Sequence, residues 1–295
     1  MTSAVTTTTP APPAPAAPPP LSPGGRTAVR AVLVVAASIF VVGCIAALGI
    51  SSWGISSLRV YTDSANLPAD MKSLTIDVAD VAIQVKSDSL AKAPRADLRQ
   101  VNSSRGTQQR LQVSTDGNGT RVRLSPESSS FMQWRRTAEI TVTLPPALAQ
   151  RLAVTTKQDD GTLTVDADLD QLDARTSDGT IVLSASARRI EIGSRDGEVV
   201  TGRPISVTES FSATTTDGNV TADFKAVPRT VDVTSRDGDV AIALPAPGPY
   251  LVDARNNADG TTVVRVPQTS DRASAAAAIT ARAADGDVAI TTLHG

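Results

Sequence analysis

The sequence has very few of the residues that build disulfides or histidine-dependent active sites. Its 295 residues include one cysteine, Cys44, and one histidine, His294. One cysteine excludes an intrachain disulfide framework. One histidine excludes a multi-histidine metal centre, and we find no Ser-His-Asp or Cys-His arrangement that could use it. We therefore expect a protein that is not an enzyme and that holds no cofactor and no metal.

Aromatic residues and net charge are also scarce. Aromatic residues make up 3% of the chain while 41% of the residues are hydrophobic, so the core must consist mainly of Val, Ile, Leu and Ala. So few aromatics argue against the sugar-binding groove of a β-helix polysaccharide lyase or hydrolase, which is the enzyme alternative. The formal charge of −2 lacks the basic excess of a nucleic-acid-binding protein, so we expect no nucleic acid partner.

What the second half of the sequence has in abundance is the dipeptide Asp-Gly. Successive aspartates lie 18, 18, 21, 20, 22 and 26 residues apart. The dipeptides are Asp160-Gly161, Asp178-Gly179, Asp196-Gly197, Asp217-Gly218, Asp237-Gly238, Asp259-Gly260 and Asp285-Gly286. Repetition at this period is typical of stacked repeat architectures.

Apolar residues flank these dipeptides at every second position, which predicts two short strands per repeat, each with one buried face. An Asp-Gly pair suits the turn between them because glycine tolerates a positive φ and aspartate bonds to neighbouring backbone. We predict an all-β, solenoid-like domain with about 18–22 residues per coil; an antiparallel hairpin meander is the alternative. The apolar positions are Leu172, Ile190, Phe211, Val231 and Ile279 before the turn, and Ile181, Val199, Val220, Val240 and Val288 after it.

The stacked aspartates have a structural interpretation and a metal-binding alternative. Carboxylates about 5 Å apart repel one another, and calcium could relieve that repulsion. However, the dense glycine and aspartate nonapeptide of calcium-binding β-rolls is absent, and Arg195 and Arg236 directly precede two of the aspartates. We therefore predict structural turns. They are Asp160, Gly161, Asp178, Gly179, Asp196, Gly197, Asp217, Gly218, Asp237, Gly238, Asp285 and Gly286.

The first quarter of the chain predicts a membrane anchor. Residues 1–27 form a Pro/Ala/Thr-rich tail that cannot pack a core. Residues 28–52 contain twenty consecutive uncharged residues, from Ala31 to Ile50, which is enough for one transmembrane helix. We predict residues 53–69 to be a linker and residues 70–295 to be an extracytoplasmic β-repeat domain.

The flanking charges predict the orientation of this span in the plasma membrane. Arg26 and Arg30 precede it closely, so the N-terminus is expected to be cytoplasmic and the repeat domain extracytoplasmic. A lipoprotein anchored through Cys44 is an alternative, because Val41 to Cys44 resembles a loose lipobox. A cleaved signal peptide is a weaker one, since the apolar run is long.

Two segments interrupt the strand pattern. Residues 87–110 are polar and are expected to be irregular, and residues 111–124 around Asp116-Gly117 are expected to form another repeat. The loop 125–136 has two interpretations: a ligand-binding surface for a sugar, an anionic polymer or a membrane, or a cap over one end of the solenoid. Its candidate ligand-binding residues are Phe131, Trp134, Arg135 and Arg136.

The order of Pro-rich tail, apolar span and repeats of the type VDVTSRDGDVAIAL resembles the DUF4097 family of bacterial β-strand repeat proteins, actinobacterial type. The segments Leu144 to Pro146 and Leu244 to Ala254 carry the same resemblance, which covers roughly residues 70–295. It implies a right-handed solenoid-like fold, an envelope location and adhesin-like function, with no catalytic residues.

Three functions are consistent with these features. We expect an envelope-exposed interaction or structural module that binds a cell-wall polymer or an envelope protein. The first alternative is a sensor or regulator that passes envelope stress to a cytoplasmic partner, and a polysaccharide-active enzyme is the second. The oligomeric state is not predicted.

Overall fold

The computed structural model describes residues 58–103, 109–125, 137–257 and 260–293. Within them the chain forms strands and one short helix, α1, at Pro146–Ala149. The strands are β1 Leu58–Asn66, β2 Ser73–Asp77, β3 Ala82–Ser87, β4 Arg95–Ser103, β5 Leu111–Asp116, β6 Gly119–Leu124, β7 Thr137–Leu144, β8 Ala153–Asp166, β9 Leu169–Leu183, β10 Ala187–Ser194, β11 Val199–Thr201, β12 Ile205–Thr215, β13 Val220–Ala226, β14 Thr230–Ser235, β15 Val240–Leu244, β16 Leu251–Asn256, β17 Thr262–Arg265, β18 Ala278–Ala283 and β19 Val288–Thr292.

The strands form two facing layers. The first sheet has the order β5-β6-β2-β8-β9-β10-β12-β14-β18-β16, and the second has β1-β4-β7-β3-β8-β9-β11-β13-β15-β19-β17. The long strands β8 and β9 belong to both sheets, because each continues through its Asp-Gly pair from one layer into the other. Each coil is therefore one strand of each sheet joined by an Asp-Gly corner.

Parallel pairing between successive coils confirms the solenoid prediction over the hairpin meander for the repeats. Asp160 lies opposite Asp178 and Gly161 opposite Gly179 in the parallel pair β8–β9. The degenerate repeat around Asp80 joins the same column through a parallel bridge to Asp160. Like residues of different coils thus lie side by side.

The interior is filled by the apolar residues of alternating strand positions. The positions six residues before and two residues after the turn are almost fully buried from Leu172 to Ile279 and from Ile181 to Val288. Phe211 and Phe224 meet between the layers, with ring centroids 5.2 Å apart at 88°. Such edge-to-face contacts stabilise a core otherwise made of small aliphatic side chains.

The first part of the domain differs from the sequence predictions because the pairs β1–β4, β4–β7 and β5–β6 are antiparallel, whereas β2 and β3 pair in parallel. Strand β1, at Leu58–Asn66, lies within the residues predicted to be a linker and pairs antiparallel with β4. Strand β4 itself occupies residues 95–103, which were expected to be irregular. Its alternation of Ala96, Leu98 and Gln100, all buried, is the signal that a purely polar interpretation misses.

The repeat expected around Asp116-Gly117 is a hairpin. Strands β5 and β6 pair antiparallel with Asp116 opposite Gly119, so the two-residue loop is Gly117-Asn118. Gly117 has a φ of 57°, the left-handed conformation that such a loop requires. The meander alternative therefore describes this segment correctly.

The last two coils are exchanged in space relative to their order in the chain. Strand β18 pairs with both β14 and β16, so the Asp285 coil lies between the Asp237 coil and the coil that contains Gly260. Asp232 and Asp253 are both opposite Thr280, on either side of it. Direct pairing of β14 with β16 in this register would place the two carboxylates opposite each other, which is unfavourable.

The inserted coil supplies the missing positive charge and continues a backbone ladder. Arg282 lies 3.3 Å from Asp253 and 3.8 Å from Asp232. Side-chain oxygens also accept backbone N–H groups from coil to coil in this spatial order. The ladder is Asp239 N to Asn219 Oδ1 at 2.9 Å, Asp287 N to Asp239 Oδ1 at 2.8 Å and Thr261 N to Asp287 Oδ1 at 2.6 Å.

The predicted tail 1–27, span 28–52 and Cys44 lie outside the described residues. No helix in the described part of the chain has the length and apolarity that a membrane crossing requires.

Candidate functional site

The Asp-Gly corners were predicted as turns that need glycine for a positive φ, and this reason is wrong for most of them. Among the described corner glycines only Gly161 has a positive φ, 123°. The others are required by space: a Cβ on Gly218 would collide with the carbonyl oxygen of Gly197 in the neighbouring coil. The glycines of the column stack backbone on backbone in the order Gly161, Gly179, Gly197, Gly218, Gly238, Gly286 and Gly260.

A hydroxyl side chain lies two residues before the aspartate at four of the described corners, and at two of them it donates to the backbone. Ser235 Oγ donates to Gly218 O at 3.0 Å, and Thr215 Oγ1 donates to Arg195 O at 3.3 Å. The corner motif is therefore Ser/Thr-x-Asp-Gly at four of the repeats, a signal that the prediction from Asp-Gly alone did not use. Asp259 lies outside the described residues.

The aspartate side chains form an exposed column whose charges repel. Backbone N–H groups of the column donate to the preceding coil, as Asp217 N does to Arg195 O at 2.7 Å. Hydrogen bonding with Asp217, together with desolvation and the other neighbouring aspartate, raises the pKa of both Asp196 and Asp237. No group of three or more His, Cys, Asp or Glu side chains in the described ranges is arranged to hold a metal ion.

Elsewhere on the coils, outward charges neutralise one another along the stack. Arg188 Nε lies 2.8 Å from Asp170 Oδ1 and its Nη1 lies 2.8 Å from Glu209 Oε2, which joins three coils. Hydrogen bonding from Arg188 holds the pKa of Asp170 below its usual value despite desolvation. Outside the aspartate column, part of the charge on the coils is therefore neutralised along the stack.

The outward face of strands β1, β4, β7 and β3 is different, and we call it the polar face. Inward residues of these strands, such as Ile83, Leu98 and Ile140, are buried, so the alternate residues must point outward. They line a concavity of about 600 Å³. Across the strands its rows are Ser64, Asp97, Thr141 and Gln84; Thr62, Arg99 and Glu139; and Arg95, Thr143 and Lys86.

The polar face carries charged groups of both signs, and only some of them are neutralised within it. Arg95 and Asp97 form one ion pair, with Nε and Oδ2 2.9 Å apart. Lys86, Arg99 and Glu139 form no ion pair with any described residue, although Arg99 and Glu139 occupy opposite positions of β4 and β7. These side chains and the surrounding hydroxyls can donate to and accept from a polar ligand.

The residues predicted to bind a ligand cannot be compared with this surface. Phe131, Trp134, Arg135 and Arg136 lie outside the described residues. In the sequence they directly precede β7, the strand that carries Glu139, Thr141 and Thr143 of the polar face. The polar face was not predicted, because its β1 and β4 residues fall in segments that were interpreted as linker and irregular chain.

A stack of parallel coils, closed at one end by antiparallel strands, defines a β-solenoid protein of the Toastrack type. The family model described as Toastrack DUF4097 matches residues 71–291. The chain belongs to the DUF4097 family, which confirms the resemblance; the actinobacterial type stays a prediction.

The solved structures that match this chain are distant from it in sequence. A candidate adhesin from Bacteroides fragilis is 15% identical in sequence. The match covers 80% of this chain and 97% of the adhesin chain, with a TM-score of 0.47. A candidate cell adhesion protein from Clostridium sporogenes is 8% identical over 80% of this chain and 100% of its own, with a TM-score of 0.38. A candidate lipid binding protein from Parabacteroides distasonis is 12% identical over 80% and 97%, with a TM-score of 0.34. No curated protein matches the sequence.

Proposed function

We propose that this protein is an adhesin-like interaction module of the cell envelope that binds a hydroxylated, charged polymer on its polar face. Residues 28–52 would cross the plasma membrane once, with the tail 1–27 in the cytoplasm and the β-domain outside. The proposed activity is binding, without catalysis.

The polar face is the observation that supports this proposal. Its concavity of about 600 Å³ lies within the size range of ligand sites. Most ligand pockets are lined mainly by apolar side chains, whereas this surface presents hydroxyls, an amide and charged groups. A ligand that is itself rich in hydroxyl, amide and ionic groups, such as a cell-wall polymer, matches that lining.

The unpaired charges are expected to determine affinity. Lys86 and Arg99 would each donate to an anionic or carbonyl oxygen of the polymer, and Glu139 would accept from its hydroxyl or amide groups. Hydrogen bonds to charged groups contribute roughly 1.5–3 kcal/mol each, so loss of two such contacts weakens binding at least tenfold.

Cosedimentation with purified peptidoglycan tests the proposal. The detergent-solubilised full chain should sediment with the polymer, and the double variant Lys86→Ala/Arg99→Ala should remain in the supernatant. Lys225→Ala, an exposed lysine of the same sheet in a distant coil, is the matched control and should behave as wild type. Absence of sedimentation, or equal sedimentation of all three proteins, would reject peptidoglycan binding through the polar face.

A further inference from the structure

Among the described residues, the coil formed by β16 and β17 is an open end of the solenoid. In the described part of the chain, β16 pairs only with β18 and β17 only with β19. The inward residues Val252, Ala254 and Val264 pack on the core but are only partly buried, unlike the equivalent residues of interior coils. An unpaired strand with partly exposed apolar neighbours is a template for further strand pairing.

The free edge of β16 has a defined extent. Leu251 N donates to Ala277 O of the inserted segment, so by strand alternation the N–H and C=O of Val252 and Ala254 point away from β18. Tyr250 N and O are bonded to Pro267 and Thr269, so the chain itself covers the edge as far as Tyr250. The uncovered part therefore begins at Val252.

We propose that two copies of this chain associate end to end through antiparallel pairing of their β16 strands about a twofold axis at Ala254. This register places Ala254 opposite the same residue of the second copy. Both residues direct N–H and C=O groups toward each other's strand, as a hydrogen-bonded antiparallel pair requires.

The charges of β16 are self-complementary in the same register. Asp253 of each copy lies opposite Arg255 of the other, so the twofold axis generates two ion pairs. Within one chain Arg255 Nε is already 2.7 Å from Asp253 Oδ1, and Arg282 supports the carboxylate from the other side. A shift of one residue would instead place Asp253 opposite Ala254 and leave the pairs unmade. The direction of the free backbone N–H and C=O groups and the two ion pairs thus select the same register.

Charge reversal at the edge tests the interface in the full chain, solubilised in detergent and sized by light scattering. The wild type should be a dimer. Arg255→Asp places carboxylates opposite carboxylates and should raise the dimer dissociation constant by roughly tenfold or more. Arg151→Asp, an exposed arginine far along the chain, makes the same charge change and should remain dimeric.

A mixture of two single variants separates a lost interface from a damaged fold. Asp253→Arg places arginines opposite arginines and should dissociate by itself, but it is complementary to Arg255→Asp. The two variants together should form a heterodimer, because positions 253 and 255 are then both basic in one copy and both acidic in the other. A monomeric wild type, a dimeric Arg255→Asp chain, or a mixture that stays monomeric would overturn the proposal.

Discussion

The first part of the domain, residues 58–144, contains three antiparallel strand pairs, whereas the stacked coils, residues 153–293, pair in parallel. Both parts have the same alternation of apolar and polar residues. In the coils, parallel pairing brings like residues side by side, so glycine meets glycine and aspartate meets aspartate. In the antiparallel pairs of the first part, unlike residues face each other, as Arg99 faces Glu139.

This difference explains why the candidate binding surface lies at one end of the domain. In the coils, outward charges follow the stacking: the Arg188 ion pairs neutralise charges of three coils, and the aspartate column repeats one charge from coil to coil. The first part does not repeat a coil, and its polar face presents a non-repeating set of charged and hydroxyl groups. The repeated coils stabilise the domain, and the non-repeating polar face can bind a ligand.

The largest effect is expected from Gly218→Ala, which tests the close stacking of the coils. Its Cβ would collide with backbone of Gly197, which cannot move without disturbing the next coil. We expect a loss of about 3 kcal/mol in the free energy of unfolding, measured by urea denaturation. Gly193→Ala is the matched control: its Cβ would meet nothing closer than 3.9 Å, so its stability should change by less than about 0.5 kcal/mol.

A smaller effect is expected from Gly117→Ala in the hairpin, where the cause is conformational. Nothing lies within 4 Å of the added Cβ, but the φ of 57° disfavours alanine by roughly 1–2 kcal/mol. Gly117→Asn should lose less, because asparagine tolerates this conformation. Gly218→Asn should be as unstable as Gly218→Ala. If alanine and asparagine at Gly117 lowered the free energy of unfolding equally, the cause there would not be the backbone conformation.

The coils could be predicted from the sequence because residues close together in the chain determine each of them. The Asp-Gly spacing and the apolar positions around it fix two strands and a corner within each repeat, and like residues then stack. The role of the corner glycine could not be predicted in the same way. It depends on the distance to the next coil, which a single repeat does not encode.

The exchange of the last two coils and the polar face depend on pairings between distant residues. In the sequence, nothing distinguishes Asp232 and Asp253 from other outward positions. Their role follows from Arg282, which lies between them in the structure. Strand β4 was missed because Arg95, Asp97 and Arg99 outweigh the buried Ala96 and Leu98 in a polarity average. Period-two alternation within residues 95–101 was the signal that could have found it.

Arg282→Gln should have a modest effect and tests why the last coil lies between its neighbours. The variant loses ion pairs to Asp232 and Asp253, and exposed pairs of this kind contribute about 0.5–1 kcal/mol together. The loss of unfolding free energy should shrink in 1 M salt, where the Debye length falls to about 3 Å. Arg151→Gln should show no salt-dependent difference from wild type; an equal loss at low and high salt would exclude the electrostatic explanation.

The smallest change in the free energy of unfolding is expected from the exposed aspartate column. Its charges destabilise the fold, whereas the charges of the ion pairs stabilise it. The pKa of Asp196 and Asp237 is raised in the folded protein, so the folded state binds protons more tightly than the unfolded chain. These two groups therefore destabilise the fold above their raised pKa, and the destabilisation is relieved as the pH falls toward the ordinary value of 3.8.

Asp217→Asn removes the charge that contributes to both shifts, so it should stabilise the fold at pH 7 and reduce the gain that wild type shows on acidification. Asp170 has a lowered pKa, so its contribution to stability is present above 3.8 and is lost as the pH falls below that value. Asp170→Asn should accordingly destabilise the fold at pH 7. Urea denaturation of wild type and both variants at pH 7 measures the two changes, and repeating it at pH 5 and at about pH 3 follows their pH dependence. A loss of stability in Asp217→Asn at pH 7 would mean that the column holds the coils together despite its charge.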